Sequence, residues 1–248
     1  MSQVVFYGFL SVFPLILGAY LGSVFHPKEK IIGVISAFGA GAMIAAITLG
    51  LMEESFRLGG FDNSIIGFLA GGILFVVGDL ILIKIGGRGH RRTYGHLHPE
   101  GLEKQNGWAV VLAAVIDGIP ESIGLGISLI LNPKIGLLLL VSIFFNNLPE
   151  AFSSSYDLKR VGKTTAGVMK IWAVVAFVIF IFVILGYTVL GNISASTSST
   201  IQAIAAGGIL AMLASTMMPE AYRESGLSAS LATIMGFLLI FVLSKAGV

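Results

Sequence analysis

The chain has 248 residues, of which 56% are hydrophobic and only 11% are charged, with a net charge of +2. A soluble domain carries about 25% charged residues, so this composition excludes an ordinary globular protein and indicates a membrane protein. There is no cysteine, which excludes a disulfide framework and a thiolate metal site, and we expect no nucleic-acid partner.

Eight apolar segments follow one another along the chain. Each is close to the roughly 20 residues that cross a bilayer, and together they occupy 4–25, 31–52, 64–86, 107–131, 134–156, 166–191, 200–221 and 227–245. The first is too long and too glycine-rich for a cleavable signal, so we expect it to be a true span. The sequence therefore predicts an all-α, polytopic membrane protein with a single transmembrane domain over 1–248.

Basic residues are concentrated in alternate connections between these segments. The enriched connections contain Lys28 and Lys30; Arg88, Arg91, Arg92 and Lys104; Lys159, Arg160 and Lys163; and Arg223. Cytoplasmic loops are enriched in Lys and Arg, so we expect both termini to be extracytoplasmic and the 87–106 loop to be cytoplasmic. The predicted location is the cell (inner) membrane.

The sequence contains a long internal repeat. When the chain is shifted so that Met52 lies over Met218, MEESFRLGG at 52–60 aligns with MPEAYRESG at 218–226, and FGAGAMIAA at 38–46 aligns with IAAGGILAM at 204–212. The second and third segments therefore resemble the seventh and eighth. Because the second segment runs outward and the seventh inward, the two copies are predicted to have opposite topology.

The fourth and fifth segments form a second repeat, in which Pro120 lies over Pro149. IPE at 119–121 aligns with LPE at 148–150, and Asp117 aligns with Asn146. These segments also run in opposite directions, so the sequence predicts eight transmembrane helices in a 3+2+3 inverted-repeat arrangement. Inverted repeats with interrupted central helices are typical of alternating-access transporters, whose binding site lies near the middle of the membrane.

The central pair brings polar residues into apolar segments. Asp117 and Glu121 are four residues apart and share one helix face, as do Asn146 and Glu150. A proline in each segment frees the carbonyl four residues earlier, and such a group must be satisfied by protein, water or an ion. A carboxylate at mid-membrane costs at least about 2.5–3.5 kcal/mol, which makes this a candidate functional site.

The three carboxylates have two interpretations, because neither segment carries Lys or Arg in its middle. Either some carboxyls stay protonated and hydrogen-bond to neighbouring helices, or a cation binds among them. Polar faces that meet at one depth favour a divalent cation, with the ligands Asp117, Glu121, Asn146, Glu150 and Asn147. Oxygen ligands suit Mg²⁺, Mn²⁺ or Ca²⁺, and carboxylates also bind Zn²⁺ and Fe²⁺, so the ion stays open.

These features together resemble the ZIP (Zrt/Irt-like) family of divalent metal transporters, as a divergent prokaryotic member. The family has Pro-Glu motifs in its fourth and fifth helices, of the types His-Asn-x-Pro-Glu-Gly and His-Glu-x-Pro-Glu/His. Here they correspond to DGIPES at 117–122 and NNLPEA at 146–151. The resemblance implies that the first and fifth positions, Asp117, Glu121, Asn146 and Glu150, bind the transported metal.

The motifs depart from the family pattern at three points. Asp117 and Asn146 replace both signature histidines, and Gly118 replaces the second-site asparagine. No acid in 171–190 corresponds to the helix-6 acid that helps to bridge two metals in some members. The resemblance therefore implies one metal site, without the histidines on which a preference for zinc would rest.

The remaining polar residues have two interpretations each. Glu54 and Glu220 occupy equivalent repeat positions, either as an acidic entrance and exit that concentrate cations or as helix ends paired with nearby arginines. His90, His96 and His98 in the 87–106 loop either bind metal, as the resemblance implies, or belong to a basic loop near anionic lipid headgroups.

The sequence thus predicts a transporter that moves a divalent metal ion, as substrate, into the cytoplasm. It predicts no catalytic residues, and a homodimer stays open. One alternative is a ZIP-like metal-binding or sensor protein without transport. Another is an intramembrane metal-dependent enzyme, which is disfavoured because no apolar segment contains a His-Glu-x-x-His or His-x-Glu pattern to supply a general base.

Overall fold

The computed structural model describes residues 2–25, 28–84, 107–188 and 193–246, and these ranges are helical, without strands. The helices are α1 Ser2–Val24, α2 Glu29–Ala46, α3 Glu53–Lys84, α4 Gly107–Leu131, α5 Pro133–Arg160, α6 Thr165–Thr188, α7 Ala195–Met212, α8 Met218–Ser225 and α9 Leu227–Ala246. Short π-helices join α2 to α3 and α7 to α8, at Ile47–Met52 and Leu213–Met217. The predicted 87–106 loop lies outside the described residues.

Within the described ranges, seven helical stretches are long and apolar enough to cross a membrane. The second of them, Glu29–Lys84, has 56 residues. A straight helix of that length would extend about 84 Å, nearly three times the roughly 30 Å hydrocarbon core of a bilayer. Gly60 interrupts this stretch with φ 73° and ψ −167°, so it is not one straight helix.

The distribution of side chains is that of a protein in an apolar solvent. Large apolar side chains point outward along α3 and α9, for example Phe61, Ile66 and Leu231, which are 63–69% exposed. Polar side chains such as Gln202 are buried inside instead. Exposed apolar surface of this extent is unfavourable in water and matches lipid tails, so the structure indicates a multi-pass membrane protein.

Backbone irregularities recur at positions related by the long sequence repeat. The π-helix that begins at Ile47 has its counterpart at Leu213, the residue with which the repeat aligns Ile47. Gly60 and Gly226 are aligned in the same way, and both have positive φ, of 73° and 58°. Glycine adopts this region without the steric penalty that a Cβ imposes. The repeat therefore includes the backbone conformation as well as the sequence.

Two helix pairs share the same close contact. A Cβ at Gly41 of α2 would overlap the Thr233 carbonyl of α9, and a Cβ at Gly207 of α7 would overlap the Phe68 carbonyl of α3. One turn away the roles exchange within each pair, with Gly236 against the carbonyl of Phe38 and Gly71 against that of Ile204. Small residues let helix backbones approach this closely. The α2–α9 and α7–α3 pairs are thus built alike.

The other helices pack around these pairs and place α4 and α5 inside. Helix α4 contacts α5, α6 and α7, while α5 also contacts α1 and α2. One apolar cluster, which includes Leu51, Leu125 and Ala206, fills the space between α2, α4, α5 and α7. A second surrounds the fully buried Trp172 of α6. The polar motifs of α4 and α5 therefore lie in the protein interior.

Replacing Gly60 by alanine is expected to destabilise the protein by about 1–3 kcal/mol. Its φ of 73° and ψ of −167° lie in a region that is essentially restricted to glycine, although no neighbouring atom obstructs a Cβ. Thermal unfolding in detergent would measure the loss. Gly72→Ala is the control, since its Cβ would meet only a carbonyl at 3.7 Å. Equal unfolding temperatures for the two variants would contradict the expectation.

Candidate functional site

Helices α4 and α5 carry the predicted site residues. Asn132, in an extended conformation, joins them, and Pro133 begins α5, so the two helices run antiparallel. Each helix contains its motif proline, Pro120 or Pro149, and continues beyond it. The two motifs consequently lie within neighbouring helices rather than in loops.

The polar faces of α4 and α5 meet at Glu121 and Asn146. Asn146 Nδ2 donates a hydrogen bond of 2.7 Å to Glu121 Oε1, and one of 3.2 Å to Asn147 Oδ1. Glu121 is 2% exposed, the two asparagines are 3% exposed, and Asp117 is 4% exposed. Glu150 is partly buried. The structure thus joins three of the five predicted ligands through hydrogen bonds deep in the protein.

Asp117 and Glu150 belong to the same electrostatic group. Both carboxylates lie close enough to Glu121 to interact with it electrostatically. Helix α4 contains no Lys or Arg, and those of α5 lie near its ends. Buried charge is costly unless it is compensated, and these two helices supply no compensating basic side chain at the site.

The arrangement of the donors limits how a cation would bind. No group of three or more His, Cys, Asp or Glu side chains is gathered as a metal site within the described ranges. A cation here would therefore take part of its coordination from asparagine amides, backbone carbonyls or water, which are ordinary ligands of hard cations. Asn146 presents its Nδ2 to Glu121, and an amide that is turned over would present Oδ1 instead.

Two glycines let neighbouring helices reach the motif prolines. Pro149 leaves the carbonyl of Phe145 without its intrahelical donor, and Gly39 of α2 packs directly against that carbonyl. On the other helix, Gly208 of α7 lies against Pro120, with 3.2 Å from its ideal Cβ position to the proline Cγ. Helices α2 and α7 therefore hold the two motif helices at their irregular points.

No model of a known protein family matches the chain, and no curated protein sequence matches it. The resemblance to the ZIP family therefore rests on the topology and motifs in the sequence, and it stays a prediction.

Glu54 forms an ion pair with Arg57. Arg57 Nε donates a 2.9 Å hydrogen bond to Glu54 Oε2, and Arg57 Nη2 contacts Glu54 Oε1. Glu54 is 4% exposed, whereas the arginine side chain is 63% exposed. Glu54 was interpreted either as part of an acidic entrance or as a helix end paired with a nearby arginine, and the structure supports the pairing, with Arg57.

The other predicted candidates do not belong to α4 or α5. Glu220 is in α8, directly after the second π-helix, and is partly buried. His90, His96 and His98 lie outside the described residues. The metal-binding role that the sequence suggests for these histidines stays a prediction.

Sequence reasoning missed the two glycines that contact the motif helices. In the sequence, GAGAMIAA, which includes Gly39, and AAGGIL, which includes Gly208, indicate only small helix faces that allow close packing. The available signal was that both glycines fall within the long repeat. Which helix such a surface faces depends on the tertiary fold, so the contacts with Phe145 and Pro120 could not be predicted.

Proposed function

We propose that the chain is a ZIP-like transporter that moves a divalent metal cation into the cytoplasm through the site between α4 and α5. The observation that carries the proposal is the buried contact between Glu121 and Asn146, with Asp117 and Glu150 nearby. An acidic and amide cluster within a membrane-spanning bundle is a candidate functional site by default. Its carboxylate and amide oxygens are ordinary ligands of divalent cations.

An eight-span, 3+2+3 inverted-repeat architecture goes with this function. We assign two passes to Glu29–Lys84, separated at Gly60, because the stretch is too long for one. The shared glycine contacts of the α2–α9 and α7–α3 pairs support an inverted repeat around the central α4–α5 pair. Transporters with such repeats bind their substrate where the repeats meet.

The direction of transport depends on the topology, and the choice of ion depends on the ligand atoms. The basic residues in alternate connections support a topology with both termini outside the cytoplasm. Carboxylate and amide donors accommodate Zn²⁺, Fe²⁺, Mn²⁺, Mg²⁺ and Ca²⁺ to different degrees. We assign no catalytic residue, and the driving force would be an ion gradient.

Uptake into proteoliposomes tests the proposed function. Purified protein would be reconstituted and offered Zn²⁺, Fe²⁺, Mn²⁺, Mg²⁺ and Ca²⁺ in turn, with protein-free liposomes as control. Saturable uptake of at least one ion is expected. Ion binding without flux would favour a binding or sensor protein, and the absence of both would contradict the proposal.

A further inference from the structure

Gln202 is a polar side chain whose burial is not explained by the helix contacts around it. It lies in α7 and is 0% exposed, and neither its Oε1 nor its Nε2 has a hydrogen-bond partner within the described residues. Most buried polar side-chain atoms are hydrogen-bonded, so an exception of this kind requires an explanation. A ligand or water molecule that binds transiently would explain these unpartnered atoms.

Ser128 of α4 has the same property. It is 1% exposed, and its Oγ has no partner among the described residues. It lies seven residues after Glu121, which places it on the same face of α4 and about 10 Å further along the helix. The face that carries Asp117 and Glu121 thus continues to a second buried polar side chain.

The contact between α4 and α7 brings Ser128 and Gln202 to one level. The two helices run antiparallel there, and an ideal Cβ at Gly124 would lie 3.4 Å from the Ala205 Cβ. Ser128 lies one turn after Gly124, and Gln202 lies one turn before Ala205. Both residues therefore occupy the same layer, one turn from that contact.

This layer lies between Glu54 and the central site. Leu51 packs against Gly124, with 3.4 Å from its Cδ1 to the ideal Cβ position, and so marks the inner boundary. On the other side of the layer lies Ser55, which follows Glu54 in sequence. Ser55 and Ser199 are hydrogen-bonded to each other at 3.0 Å. The unpartnered groups therefore fall between Glu54 and Glu121, on the half of the protein that the proposed topology places outside.

We propose that Gln202 and Ser128 form an uncharged binding step for the incoming cation, between the Glu54–Arg57 ion pair and Glu121 in the centre. This step rests on the proposed function. The amide oxygen and the hydroxyl bind a partly hydrated divalent cation, either directly or through its water ligands. Neutral ligands bind the ion weakly. Weak binding suits an intermediate position, because the ion must leave it as readily as it enters. Leu51 and Gly124 then separate this step from the carboxylates.

Variants of both residues test the step through initial uptake rates, measured as a function of ion concentration. The double variant Gln202→Met, Ser128→Ala keeps the volumes similar and removes the polar atoms. We expect its uptake at low ion concentration to fall by about tenfold, comparable to the loss of a supporting group around a metal site. Its thermal stability should stay equal or rise, because buried polar atoms without partners are removed. Ser11→Ala, another buried serine, is the control and should transport normally.

Gln202→Glu provides a second measurement with the opposite sign. A carboxylate in this layer should bind the cation more tightly, so both KM and the maximal rate should fall. Wild-type uptake, combined with unchanged kinetics in the double variant and an unchanged KM in Gln202→Glu, would contradict the binding step and leave the central site intact. If the wild-type protein moves no ion, the proposed function fails, and the binding step fails with it.

Discussion

Glu121→Gln is expected to reduce metal uptake by more than about 100-fold, because losing a supporting partner of a metal ligand already costs about 10–100-fold. Glutamine keeps the size of the side chain and can still accept the hydrogen bond from Asn146. What it removes is the negative charge that a divalent cation requires. Glu150→Gln should have a similar effect, since both carboxylates belong to the same electrostatic group.

The control for this experiment is Glu29→Gln. Glu29 is an exposed acid in the first turn of α2, away from the site, so its loss should leave uptake near the wild-type rate. Uptake would be measured in proteoliposomes, at equal amounts of correctly folded protein. Normal uptake by both site variants would show that the carboxylates of α4 and α5 do not bind the transported ion.

Gly207→Ala and Gly41→Ala are each expected to destabilise the protein by about 1–3 kcal/mol or more, the cost of forcing extra volume into a packed interface. The new methyl would overlap a backbone carbonyl of the facing helix, that of Phe68 or that of Thr233. A backbone atom inside a helix cannot move away as the end of a flexible side chain can. The helix pair must then separate along its length.

The two variants also test the equivalence of the helix pairs. Because the contacts are alike, Gly207→Ala and Gly41→Ala should lower the unfolding temperature in detergent by similar amounts. Gly72→Ala is the matched control, with only a carbonyl at 3.7 Å from its new Cβ, and it should be neutral or gain up to about 1 kcal/mol from the higher helix propensity of alanine. A large loss in only one of the two variants would contradict the equivalence.

Hydropathy predicted most helix positions, because several apolar segments end at helix-breaking residues such as proline. The predicted 107–131 segment matches Gly107–Leu131, which ends just before Asn132 and Pro133. The seventh segment was predicted to begin at 200, but α7 begins at Ala195. Its first turn is polar, and Ser194 Oγ caps it by accepting a hydrogen bond from the Thr197 amide. Capping added a turn that hydropathy alone excludes.

The repeat predicted more than the helix positions. The alignment of Gly60 with Gly226 corresponds to two backbone breaks with positive φ. The π-helices at Ile47–Met52 and Leu213–Met217 were not predicted, because their extra residue per turn leaves no mark in an apolar sequence. Such irregular turns are frequent at functional sites, and here they end two residues before Glu54 and three residues before Glu220.

The sequence predicted that the polar faces of two antiparallel motif helices meet at one depth, but it did not predict the contacts between them. The structure joins Glu121 and Asn146 there through a hydrogen bond of 2.7 Å, and metal binding by these residues stays a prediction. The pairing of Asn146 with Asn147, and the greater exposure of Glu150, depend on side-chain rotamers that tertiary packing determines. Gln202 was overlooked because a single glutamine in an apolar segment gives no pattern.

The most direct test of the account is to locate the ion itself. Anomalous diffraction from crystals of the protein soaked in Mn²⁺ should give a peak between α4 and α5, about 2.0–2.5 Å from oxygens of Asp117, Glu121 or Glu150. The peak should be absent from Glu121→Gln crystals soaked in the same way. A protein that transports Mn²⁺ but shows its only peak elsewhere, or keeps the central peak in Glu121→Gln, would contradict the proposal that these carboxylates bind the transported ion.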